Sequence, residues 1–193
     1  IPAATLTPAC STAVSAGEQE GGIVVLYTND IHCAVNEDEE NQVLGYARIA
    51  GLKKQLEAEG NDVILADMGD AIQGDVIGTL SEGEYIIDIM DQVGYDLAVP
   101  GNHEFDYGMD QFLSLAEKAS FPYLSCNFKD LTSGEPVFEP YEMMEADGKT
   151  IAFIGICTPK TITSSTPKYF QNEDGESIYG FEQDEDGTAL YEC

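Results

Sequence analysis

Ile23-Val24-Val25-Leu26-Tyr27-Thr28-Asn29-Asp30-Ile31-His32 runs from a short apolar stretch straight into acid, amide and imidazole. Two later junctions have the same character: residues 63–66 lead into Asp67-Met68-Gly69-Asp70, and residues 96–99 lead towards Gly101-Asn102-His103-Glu104-Phe105-Asp106. Apolar runs this short, bounded by turn-forming residues, have the pattern of strands. The segments between them have helical period. Ile49, Leu52 and Leu56 share one face ahead of Gly60; Ile86, Ile89, Met90 and Val93 share another ahead of Gly94. A third helix places Phe112, Leu113 and Ala116 inward, with Asp110 near its start and Lys118 near its end as the helix dipole favours. Strand and helix in strict alternation predict an α/β fold, a parallel sheet covered by helices. In such a sheet the ends of the strands line one edge, where open α/β folds build their sites.

Beyond these three units, residues 123–128 and 151–156 also read as strands. Residues 136–144, with Pro140 inside, read as an edge strand joined to the strand at Ile151 by the turn Asp147-Gly148. After Pro159 the periodicity fades, and residues 171–187 are rich in Asp, Glu and Gly. Asp184-Glu185-Asp186-Gly187 lacks the remaining ligand positions of a calcium loop and reads as solvated chain.

The 193 residues carry 36 acids against 8 bases, a net charge of −28, which with the scatter of the few cations excludes a nucleic-acid backbone as partner. An anionic substrate faces the same repulsion unless its site brings positive charge. No run of about 18 apolar residues occurs, so no transmembrane helix is expected. The five cysteines form no C-x-x-C pair, and Cys33, Cys126 and Cys157 sit in or beside apolar segments as packing residues. Residues 1–22 are small and Thr/Ser/Ala-rich, the composition of an export-leader remnant; Leu6-Thr7-Pro8-Ala9-Cys10 and Val14-Ser15-Ala16 are weak versions of two kinds of cleavage site. That composition points to an extracytoplasmic location: secreted, periplasmic or anchored at the cell surface.

The three strand ends together supply two carboxylates, two imidazoles and an amide oxygen, a mixed N/O set suited to divalent metals. Only two histidines occur in the chain, His32 and His103, and both fall in these clusters.

Thr28-Asn29-Asp30-Ile31-His32, Gly69-Asp70-Ala71-Ile72-Gln73-Gly74-Asp75 and Gly101-Asn102-His103-Glu104-Phe105-Asp106 resemble the first three signature blocks of the calcineurin-like metallophosphoesterases, and most closely their 5'-nucleotidase branch. The resemblance covers roughly residues 23–160, with Cys33 where the family usually has glycine. It implies a four-layer α/β/β/α domain with a dinuclear site, of which residues 23–193 form the N-terminal part. By this resemblance Asp30 and His32 bind a first ion, Asp70 bridges, and Asn102 binds the second; the ions would be Zn, Mn, Fe, Co or Mg. Asn102 and His103 would meet the substrate, His103 acting on the phosphoryl group with Asp106 orienting its ring, and Glu104 serving structure. The implied reaction is hydrolysis of nucleotide phosphomonoesters. The family's later blocks contribute further histidines and a nucleoside-gripping domain that these residues lack, so the chain is expected to be part of a longer protein and inactive alone. Two rival readings share the motifs: a sister enzyme acting on 2',3'-cyclic nucleotides or nucleotide sugars, and a catalytically silent binding protein on the same fold.

Overall fold

The computed structural model describes residues 21–41 and 43–182. Residues 1–20 of the leader read at 1–22, and the loop Asp184-Glu185-Asp186-Gly187, lie outside them. Strand β1 (Ile23–Thr28) pairs in parallel with β2 (Asp62–Asp67) along its full length, from Ile23 opposite Asp62 to Thr28 opposite Asp67. Strand β3 (Leu97–Ala98) adds to the far side of β2, also in parallel. The intervening segments are helices: α1 (Gly45–Ala58), a short α2 (Val76–Ser81), α3 (Glu84–Val93) and α4 (Met109–Lys118). Gly94 ends α3 at φ 85°, where a residue without Cβ sits without strain, and its N–H closes onto Met90 O.

Side chains alternate across the sheet. Leu65 enters a core built with Ile86, Ile87 and Met90 of α3 and Phe112 and Leu115 of α4, and Phe105, Phe128 and Phe170 pack into the same cluster. Ala66, one residue on, faces the opposite way with Leu97 and Leu124, where Met144 and Phe153 cover them. Those two belong to the antiparallel hairpin of β5 (Tyr141–Ala146) and β6 (Lys149–Ile154), turned by Asp147-Gly148 with both residues at positive φ. Helices on one face and a second β layer on the other give the α/β/β stacking the resemblance implies. The outer residues of the hairpin, Tyr141, Met143 and Ile154, and Val25 and Tyr27 of β1 remain exposed, Tyr27 at 71%.

Three expectations change in detail. Leu52 is 43% exposed, because the inner face of α1 runs through Tyr46, Ile49 and Lys53; the Lys53 ammonium reaches Asp96 at 2.8 Å and also meets Gly94 O. Residues 123–128 form no continuous strand: Tyr123 bridges to Ala98 and Leu124 to Glu139, and regular pairing begins only with β4 (Phe128–Asp130), which meets β7 (Tyr179–Phe181). Regular pairing of the edge strand starts after Pro140, which has no N–H to give and only accepts, from Gly155 N–H at 3.2 Å. Between these strands lie a one-turn helix α5 (Thr161–Ser164) and a 3-10 turn, Pro167–Phe170. No described helix is long and apolar enough to cross a membrane.

Candidate active site

Backbone pairing between β1 and β2 continues past the strands and carries the site with it. Asp30 N–H donates to Gly69 O at 3.1 Å, His32 N–H to Asp70 O at 2.9 Å and Cys33 N–H to Ala71 O at 3.0 Å. The zipper holds Asp30, His32, Cys33 and Asp70 at φ 53°, 48°, 60° and 61°. A left-handed backbone costs an L-residue about 1–2 kcal/mol, so four such residues persist only because the surrounding bonds fix them. Cys33, at the position where the resemblance anticipates glycine, turns its thiol into the core, with Sγ donating to Ala71 O at 3.5 Å. Burial raises its pKa, and Cys157, also a buried free thiol, is pushed up to about 12.

Two buried carboxylates tie the loops from beneath. Glu104 accepts backbone N–H bonds from Asp70 at 2.9 Å, Ala71 at 2.8 Å and Gly101 at 2.7 Å, fastening the loop after β2 to the loop after β3. Burial, with the charge of Asp70, holds its pKa above the ordinary carboxylate value despite those three donors. Asp67, the last residue of β2, accepts from Thr28 Oγ1 at 2.6 Å and from Gly69 N–H at 3.0 Å, while the Tyr95 hydroxyl meets Thr28 Oγ1 at 3.0 Å. Desolvation raises Asp67 to about 7. Glu104 was legible as structural from its place in the third motif. Asp67 and Thr28 stand at the strand ends outside the motif roles, although an acid closing an apolar run is a signal for such a residue.

On this frame the sequence-distant residues converge. Donor atoms of His32, Asp70 and His103 lie within 4.8 Å of one another, and the two imidazoles meet edge to face with centroids 5.0 Å apart. His32 Nδ1 lies 3.0 Å from Gln73 O, so this nitrogen carries the proton and Nε2 keeps its lone pair. Asp30 Oδ1 sits 3.8 Å from that Nε2, and the Asn29 amide contacts the other oxygen of Asp30. Asn102 is half-buried and opens the 3-10 turn His103–Phe105. His103 donates its backbone N–H to Asp70 Oδ1 at 2.8 Å, and its Nδ1 lies 2.6 Å from Asp106 Oδ2. Partial burial lowers the pKa of His103, but the hydrogen bond and charge of Asp106, with the charges of Asp70 and Glu104, hold it above the usual imidazole value. One carboxylate and two imidazoles, converging from three loops, fit a divalent cation. His103 stands close enough to share it.

Gly74 sets the height of His32. A methyl group there would lie 2.3 Å from His32 O and 2.7 Å from its Cβ. Gly74→Ala is therefore expected to displace His32 and weaken divalent-ion binding about 10- to 100-fold, read by titration calorimetry, with the far-ultraviolet spectrum unchanged.

A parallel sheet whose strand-end loops gather two histidines and an aspartate at one edge defines an α/β domain with a candidate metal site. The family model of the calcineurin-like phosphoesterases matches residues 23–178, and the chain belongs to that family. It is 35% identical over 150 residues to a 5'-nucleotidase of Vibrio vulnificus, an alignment that takes in 76% of this chain and 27% of that protein. Among solved structures it matches the calcineurin-like phosphoesterase YfkN of Bacillus subtilis (27% identity, TM-score 0.65, 84% of this chain and 55% of that one). It also matches the NAD nucleotidase of Haemophilus influenzae (28% identity, TM-score 0.68, 86% of this chain and 30% of that one). The chain thus spans between a quarter and a third of the length of the curated relatives it matches.

Proposed function

We propose that the protein containing this chain hydrolyses phosphomonoesters of nucleotides with the help of two divalent ions. The observation that carries the reading is the convergence of His32, Asp70 and His103 from three separate loops, with His103 backed by Asp106. Asp30 and His32 would hold one ion, Asp70 would serve both, and Asn102 would offer its side-chain oxygen to the second and to the substrate. Zn, Mn, Fe, Co and Mg all suit that donor set. When bound, the ions supply Lewis acidity and the positive charge that an anionic ester requires in a chain of net charge −28. His103 keeps Nε2 free, because Nδ1 is committed to Asp106, and presents a proton there to a phosphoryl oxygen or to the departing alkoxide. Nucleotides as substrate class are supported by the motif resemblance and by relatives named 5'-nucleotidase and NAD nucleotidase. The composition of residues 1–22 supports work outside the cytoplasm.

Phosphate release from nucleoside monophosphates by the intact protein is expected to stop on thorough chelation and to return when Mn or Zn is added back. Turnover that persists in metal-free protein would remove the basis of this assignment.

A further inference from the structure

The charge pair at the site has a third member that no motif contains. Ser165 Oγ donates to Asp106 Oδ1 at 3.3 Å, while the other oxygen of Asp106 engages His103 Nδ1 at 2.6 Å. Ser165 is 59 residues along the chain from Asp106, directly after α5, and its own N–H is closed onto Thr161 O at 2.8 Å. The following 3-10 turn docks this segment onto the Asp106 turn from both sides. The Phe170 ring packs against Phe105 with centroids 4.9 Å apart, and the Tyr169 ring lies over Gly108, 3.7 Å from where a Cβ would stand. Both partners are thus fixed before the hydroxyl is placed.

We infer that Ser165 is a positioning residue for His103, acting through Asp106. A carboxylate held only by one imidazole is free to rotate about χ2, since terminal sp³–sp² torsions are broad. A second donor on the opposite oxygen removes that freedom and keeps Oδ2 on the ring nitrogen, which aims Nε2 at the substrate position. Asp106 is half-buried, so water competes for Oδ1 when the hydroxyl is lost, and the carboxylate then has no fixed orientation. The kinetic consequence rests on the phosphoesterase reading; the geometric one does not.

The test compares the parent, Ser165→Ala and Ser165→Thr in the intact protein. With the imidazole nitrogens labelled, the signals that vanish in His103→Ala identify the His103 ring. In Ser165→Ala the His103 Nδ1 proton is expected to exchange with solvent about tenfold faster, kcat to fall about tenfold at unchanged KM and unchanged bound metal, and Ser165→Thr to restore both. An exchange rate in Ser165→Ala equal to the parent's would overturn the inference whether or not the protein turns over nucleotides. A fall in kcat shared by alanine and threonine, together with a lower Tm in both, would overturn it too, as the mark of a packing role. A parent without turnover but with faster proton exchange in Ser165→Ala would support the positioning role and count against the proposed reaction alone.

Discussion

His103→Ala in the intact protein is expected to lower kcat roughly 10²- to 10⁴-fold, the scale of losing a positioned acid or base, and to leave bound metal nearly at the parent level. Asp70→Asn is expected to lose metal as well as activity. The contrast follows from what each group holds. His103 commits Nδ1 to Asp106, and its backbone N–H, which alanine retains, is what supports Asp70 Oδ1. Asp70 offers the only carboxylate in the group it forms with His32 and His103. Asparagine is the better replacement there, since Asp70 sits at φ 61° and asparagine tolerates that backbone where alanine adds strain. Metal content by elemental analysis beside steady-state rates separates the roles. Equal metal loss in the two variants would make His103 a ligand, a role its closeness to His32 also permits.

Removing Glu104 is expected to damage the fold more than any other single change near the site. Three backbone N–H groups converge on its buried carboxylate, and alanine leaves all three without an acceptor. Each orphaned buried donor costs about 1–3 kcal/mol, so with partial relaxation Glu104→Ala should lose about 3–5 kcal/mol of stability. Glu104→Gln keeps the shape and one acceptor oxygen but turns an amide N–H against a donor, and should lose about 1–3 kcal/mol. Urea unfolding of the three proteins, compared at equal m-value, measures both. A loss below about 1 kcal/mol for alanine would mean that the loops after β2 and β3 are held together by other contacts.

The alternation of β1, α1, β2, α3, β3 and α4 was legible because each element carries its own period, and the three polar junctions were legible because they stand at its breaks. What escaped depends on partners distant in sequence. Helix α2 is six residues long, too short for a period to show, and is started by the Asp75 carboxylate contacting Val76 N–H. Residues 123–128 have strand composition, yet Tyr123 and Leu124 make only isolated bridges, to Ala98 and Glu139, and regular pairing waits for Phe128 in β4. Leu52 and Lys53 exchange places with expectation because Asp96 and the carbonyl of Gly94 draw the ammonium inward, and the aliphatic stem packs on the way. The candidate ligands themselves were readable by residue type. Their support was not, since Glu104 reaches 33 and 34 positions back and Ser165 reaches 59.

The left-handed backbone at Asp30, His32 and Asp70 bears on how this sequence drifts over generations. Glycine or asparagine would occupy those three positions with less conformational cost than the residues present. Aspartate to glycine, aspartate to asparagine and histidine to asparagine each need one nucleotide change, so every generation offers mutations that ease the chain while deleting a donor. Folding resists that loss at two of the three, because Asp70 Oδ1 holds the His103 N–H and His32 Nδ1 meets Gln73 O. Asp30, largely exposed with its carboxylate against Asn29 and His32, is thus the position where the ease of the main chain and the chemistry of the side chain pull hardest apart.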